Sequence, residues 1–342
     1  MALKYLTPGP VQIPKPVIGS IGRQPQFHRS DEFRKVFKEL IDKLMRVYDS
    51  RPIILPGTGT LSVDVAVYNY LDPNDKVIAV VNGEFGERFA ESLASRGCIV
   101  RRIEWEYGDI PPPDVIEDVM RREGDVKAIA VVHNESSTGT TNRYIEEYQE
   151  VAEGYGAVLL IDSVSLFPVE VPKRSVDVIA TASHKAFISP PGASILYISK
   201  EPRAKTPVPP SMDLRKFVKF MEKFETPYTP PINVIYGLNS ALDYILELGL
   251  ETYCRIHRDR ANFLYDRIKL KAVARREFRS YTITAFYTSR AREVVATLRS
   301  YGYIITAGMG KLRDNVIRIG VMGDVSLDDL SIVAEVVNRY VD

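Results

Sequence analysis

Between residues 76 and 198 the chain alternates short, unbroken apolar runs with stretches of helical period. The runs lie at 76–81, 98–103, 128–132, 158–161, 176–180 and 193–198. A strand with one wet face alternates apolar and polar residues, whereas a strand covered on both faces does not. The intervening spacing predicts helices over 85–96, 113–122 and 144–155. Gly97, Gly124 and Gly156 follow them, where a helix end favours glycine. Helices between doubly covered strands imply an α/β chain built on a mostly parallel sheet.

The character changes after residue 200. Seven prolines fall between 202 and 231, and a single helical pattern then runs from 233 to about 270. Beyond it the pattern predicts a strand at 280–288, a helix at 291–301, strands at 303–306 and 316–320, and a helix at 327–341. Ser326 and Asp329 have capping-box spacing before that last helix. We read an N-terminal arm (1–20), a large domain (21–240) and a smaller C-terminal α+β domain (241–342), the boundary falling inside the long helix.

Composition removes several classes. The 342 residues carry 45 Lys+Arg against 44 Asp+Glu, without the basic excess of a nucleic-acid binder. Two cysteines, Cys98 and Cys254, are too few for a disulfide framework or a structural zinc cluster. No run approaches the roughly 18 apolar residues of a membrane span, and the proline-rich start lacks a signal-peptide core. The expectation is a soluble, cytoplasmic protein with no nucleic-acid or membrane partner and no metal.

Five segments could carry chemistry, and each also has a plain structural reading. Gly57-Thr58-Gly59 precedes a helical run; it is a glycine turn, or a phosphate cradle made of free helix N–H groups. Asp162 ends an apolar strand, as a cap or as an acid facing the crevice where α/β ligands bind. Lys185, between a strand and Pro190-Pro191-Gly192, is a solvated lysine or a Schiff-base amine. His133 to Thr140 is a hydroxyl-rich turn at the same sheet edge. Arg318, alternating with isoleucines, is an edge charge or a carboxylate clamp. Taken in order, they supply what pyridoxal phosphate needs: a helix N-terminus for the phosphate, a carboxylate for the ring nitrogen and a lysine for the aldehyde.

The blocks Thr7-Pro8-Gly9-Pro10, Gly57-Thr58-Gly59-Thr60, the segment 82–88, the segment 133–139, Asp162-Ser163-Val164-Ser165, Ser183-His184-Lys185-Ala186 and the segment 318–323 occur in the order in which class V aminotransferases carry them. The chain resembles the alanine–glyoxylate and serine–pyruvate group of that family. The resemblance implies a fold-type I large domain with a seven-stranded sheet, and a pyridoxal 5'-phosphate cofactor. Lys185 would hold it as a Schiff base and shuttle a proton, while Asp162 would pair with the ring nitrogen. Phe85 and Val164 would pack on its two faces. Gly57, Thr58, Gly59 and His184 would lie at the phosphate, and Ser136 would reach the ring. Arg318 would bind the substrate carboxylate. Thr229 would reach the phosphate of the other subunit of a homodimer with shared active sites. The implied reaction moves an amino group from alanine or serine to glyoxylate or pyruvate.

This chain departs from the family pattern at three positions: Pro56 for a serine, Thr226 for a tyrosine and His184 for a glutamine. An aminotransferase for another small amine, such as an aminophosphonate, is the alternative. A cysteine desulfurase or lyase would need a nucleophilic cysteine near the site, whereas Cys98 is read in a strand and Cys254 in a helix. His257, among Arg255, Arg258 and Arg260, is read as part of a solvated basic face, His28 as structural, and Trp105 as packing near a sheet edge.

Overall fold

Residues 3–341 are described by a computed structural model. The apolar runs form one seven-stranded sheet. Its order is Arg51–Gly57, Gly192–Ile198, Val178–Ala182, Val158–Asp162, Val126–Val132, Lys76–Val81 and Ile99–Glu104. Gly192–Ile198 runs antiparallel to both neighbours and the other interior pairings are parallel. The reason is length. A parallel return needs a crossover of a dozen residues or more, and the link from Ala182 to Gly192 is too short to hold one. The chain turns through Lys185 and comes straight back.

Apolar clusters cover both faces of the sheet, which explains why the strands show no alternation. Helices Glu84–Ser95, Pro113–Glu123 and Ile145–Gly154 lie close to the expected ranges. The proline at 56 sits on the outermost strand, paired on one side only, where a missing backbone donor is tolerated. Trp105 follows the opposite edge strand, and its indole N–H donates to Asp109 Oδ2 at 3.0 Å.

The later part differs from expectation in detail. The single pattern from 233 to 270 is two helices, Ile232–Leu248 and Leu250–Arg267, broken at Gly249 with φ 79°. The expected strand at 280–288 is Ile283–Tyr287. It joins Val316–Gly320 and Thr306–Ala307 in an antiparallel three-stranded sheet. The expected strand at 303–306 divides, because Tyr303–Ile304 instead pairs in parallel with Lys4–Tyr5 near the N-terminus. A third apolar cluster lies under this sheet. The capping box of the last helix, Leu327–Asn338, is present with both hydrogen bonds, Asp standing in for the usual Glu.

His257 is a correction. It lies in Leu250–Arg267 with 1% exposure, not on a solvated face. Helical period places it with Tyr253, Ala261 and Leu264 on the buried side, while Arg255 and Arg258 are exposed on other faces.

Candidate active site

Four parallel strands end at one edge of the sheet, and the residues that follow them line a cleft of about 230 Å³. Asp162 is the last residue of Val158–Asp162. Its carboxylate Oδ1 accepts from the Val164 backbone N–H at 3.0 Å. Burial pushes this carboxyl above its ordinary range; the Val164 N–H, Arg88 and Lys185 pull it back.

Lys185 sits in the turn between Val178–Ala182 and Gly192–Ile198. The turn is held by Ile188 N–H on Lys185 O (2.9 Å), Ser189 N–H on Ser183 O (3.0 Å) and the Ser183 hydroxyl on Pro190 O (2.6 Å). The Lys185 ammonium lies 6.0 Å from the centre of the Phe85 ring. Burial lowers its pKa to about 8; Asp162 opposes this, while Arg318 and Arg88 add to it. Gly9 presses on the lysine stem. A Cβ there would fall 2.4 Å from Lys185 Cδ, and its φ of +125° suits glycine alone.

At the other end of the cleft, helix Gly59–Tyr70 begins directly after the edge strand. Its N-cap, Thr58, makes no side-chain capping bond, so the first N–H groups stay open. The Ser194 hydroxyl holds this turn by donating to Thr58 O at 2.6 Å. Gly59 makes room for Val164, since a Cβ would lie 2.5 Å from Val164 Cγ1. His184 is buried on the cleft wall and its Nδ1 has no hydrogen-bond partner. Burial, then Lys185, lowers its pKa to about 4, so the ring is neutral near pH 7.

Of the residues named from the sequence, the cleft brings together Thr58, Gly59, Phe85, Asp162, Val164, His184 and Lys185. Gly57 is one step away, in the edge strand. Arg318 is off the cleft wall and is no edge charge: it is 7% exposed. Its Nε donates to Ala307 O at 3.0 Å and its Nη1 to Ser136 O at 3.3 Å, and it makes no ion pair among the described residues. Burial lowers its pKa to about 10, opposed by Glu135; it remains charged at neutral pH. Ser136 is buried off the wall, its hydroxyl donating to Ser165 Oγ at 2.8 Å. Thr229 is exposed outside the cleft. Thr226 is turned away, donating to Tyr228 O at 2.6 Å.

Arg88 lines the cleft with no role assigned to it from the sequence. Its place one turn beyond Phe85 on the same helix face is the signal that identifies it. Neither cysteine is on the wall. Both are half-buried, and burial raises the Cys98 thiol to about 11 and also raises Cys254.

A sequence model of the family described as Aminotransferase class-V matches residues 20–312. The chain belongs to the class V aminotransferases. It is 31% identical to an uncharacterised aminotransferase of Methanocaldococcus jannaschii, over 93% of this chain and 87% of the relative. It is 29% identical to a serine–glyoxylate aminotransferase of Arabidopsis thaliana, over 93% and 85%. The solved alanine–glyoxylate aminotransferase of Nostoc sp. superposes with a TM-score of 0.93 at 25% identity, over 99% of this chain and 95% of that one. Fold-type I α/β architecture is shared with these structures.

Class V aminotransferases depend on pyridoxal phosphate, and the residues present fit it. The open helix N-terminus beside the orphaned His184 Nδ1 suits a phosphate. Phe85 and Val164 suit the faces of a flat ring, Asp162 a ring nitrogen, and Lys185 an aldehyde.

Proposed function

We propose that this class V aminotransferase uses pyridoxal 5'-phosphate to move the amino group of a small L-amino acid, alanine or serine, to a small 2-oxo acid, glyoxylate or pyruvate. The observation that carries this reading is Arg318. A guanidinium that is buried, charged and without an acidic partner is costly, and a substrate carboxylate relieves that cost through two parallel charge-assisted bonds. Its Nη1 donates to Ser136 O at 3.3 Å, on the segment that follows strand Val126–Val132.

The cofactor, when bound, supplies the carbonyl that takes up the amine and a ring that stabilises negative charge at the substrate Cα. The chain's own residues do the rest. Arg318 binds the carboxylate and so orients Cα. Lys185, its pKa lowered by burial to about 8, takes a proton from Cα and returns one. Asp162 keeps a proton on the ring nitrogen. We further propose, from the family resemblance, a homodimer in which Thr229, exposed after Pro227, reaches the phosphate site of the other chain.

The test is a spectral titration. The purified protein should absorb visibly, and the band should move to the pyridoxamine form on adding L-alanine or L-serine; no change with either would sink the reading. Arg318→Gln should lose about 2–5 kcal/mol of substrate binding, read as a KM raised at least roughly thirtyfold. An unchanged KM removes the clamp.

A further inference from the structure

We propose that a second cavity beside the Lys185 turn is a binding site for a small α-amino acid, separate from the substrate cleft. Its volume is about 270 Å³ and it shares no lining residue with the first. Lys15, Ile188, Tyr253, His257, Arg260 and Asp324 contribute to its wall.

The chemistry of the wall selects the ligand. Lys15 and Asp324 are exposed and form no ion pair among the described residues. Arg260 donates through Nη1 to the carbonyls of Val321 (3.2 Å) and Gly323 (3.1 Å) and meets no carboxylate within ion-pair distance. Two cations and one carboxylate around one small space, none of them in an ion pair among the described residues, match a zwitterion. A carboxylate answers Arg260 and Lys15, and an ammonium answers Asp324. Asp324 disfavours phosphate or a dicarboxylate, and the cations disfavour a simple amine. His257 adds a second, independent signal. Its Nδ1 donates to Tyr253 O at 2.8 Å, which leaves Nε2 as a buried acceptor with no partner. An N–H donor in the cavity satisfies it.

The cavity touches the Lys185 turn twice. The Tyr253 hydroxyl donates to Ala186 O at 2.6 Å, next to the lysine. Ile188, which closes the turn, has φ 47°, a strained conformation for a β-branched residue. Occupation of the cavity therefore biases the turn that carries Lys185. This coupling, unlike the site itself, rests on the transaminase reading of that lysine.

Calorimetric titration of the cofactor-loaded protein with glycine tests the site. Two binding events per chain are expected. Asp324→Asn should weaken one and Arg318→Gln the other, each by at least about tenfold. Deuterium exchange at residues 185–188 should slow as the Asp324-dependent event saturates. A titration in which no glycine event is weakened by either Asp324→Asn or Lys15→Met overturns the site. Acetate or methylamine binding as tightly as glycine overturns the zwitterion assignment. If no amino acid alters the visible spectrum, the transaminase reading fails by itself, and an Asp324-dependent glycine event still stands.

Discussion

Two buried carboxylates lie close to the cleft, and they are treated differently. Glu135, in the hairpin Asn134–Glu135 with Thr140–Thr141, accepts from the backbone of Phe85 (3.0 Å), Gly86 (3.0 Å) and Ser137 (3.0 Å), and from the Ser137 hydroxyl (2.5 Å). It caps the start of helix Glu84–Ser95, whose own N-cap, Gly83, has no side chain to do so. Asp162 accepts from one backbone N–H and turns the rest of its capacity to the cleft. Burial raises both. The contrast teaches that saturation marks a carboxylate that builds the site, and an unfilled coordination marks one that serves a ligand.

The sharpest test of that contrast begins with the lysine that lines the same cleft as Asp162. Lys185→Ala should lower turnover by roughly 10²–10⁴-fold or more, measured as amino-acid-dependent oxo-acid release; retained turnover would remove the central assignment. Next, Asp162→Asn should lower turnover by a comparable factor while leaving thermal stability nearly unchanged. Glu135→Gln should do the reverse, costing roughly 1–3 kcal/mol of stability by leaving donors poorly matched, with a smaller loss of rate. If thermal melts show equal destabilisation in both variants, the distinction fails.

A pH experiment on the cofactor-free protein is gentler. Burial depresses Lys185 to about 8 in the folded chain, while the unfolded amine titrates at about 10.4. Below about pH 8 the lysine is charged in both states and the cost of burying that charge is fully present. Between the two values the unfolded state binds more protons, so this group adds stability as pH rises. Denaturant melts across that interval should show the rise, and Lys185→Met should flatten it. The smallest effect is expected from His184→Gln. With its ring neutral near pH 7, His184 brings the phosphate end no charge, and cofactor affinity measured by equilibrium dialysis should change by only a few-fold at that pH.

Much of this was legible from the residues, for reasons of period. Doubly buried strands announce themselves by unbroken apolar runs, and the strand ends carry Asp162 and Lys185 to one edge. What escaped depends on distant partners. Glu135 reads like any polar turn residue until the helix it caps is folded against it. The break at Gly249 is hidden because apolar spacing continues on both sides of it. The strand expected at 303–306 divides because part of it pairs with residues near the N-terminus, some 300 positions away. His257 was recoverable, since its i−4 and i+4 neighbours, Tyr253 and Ala261, are apolar-facing; the nearby arginines obscured that.

The reversed strand Gly192–Ile198 has one more consequence. It pairs Gly192 with Gly57 and Ser194 with both Leu55 and Ala182, so a single ladder of backbone bonds spans from the lysine turn to the glycine turn. The span between the two ends of the cleft is thereby a fixed ruler, graduated in strand residues. A slip of one notch would invert every side chain along it, so the length of molecule the cleft accepts is set by backbone pairing before any side chain takes part.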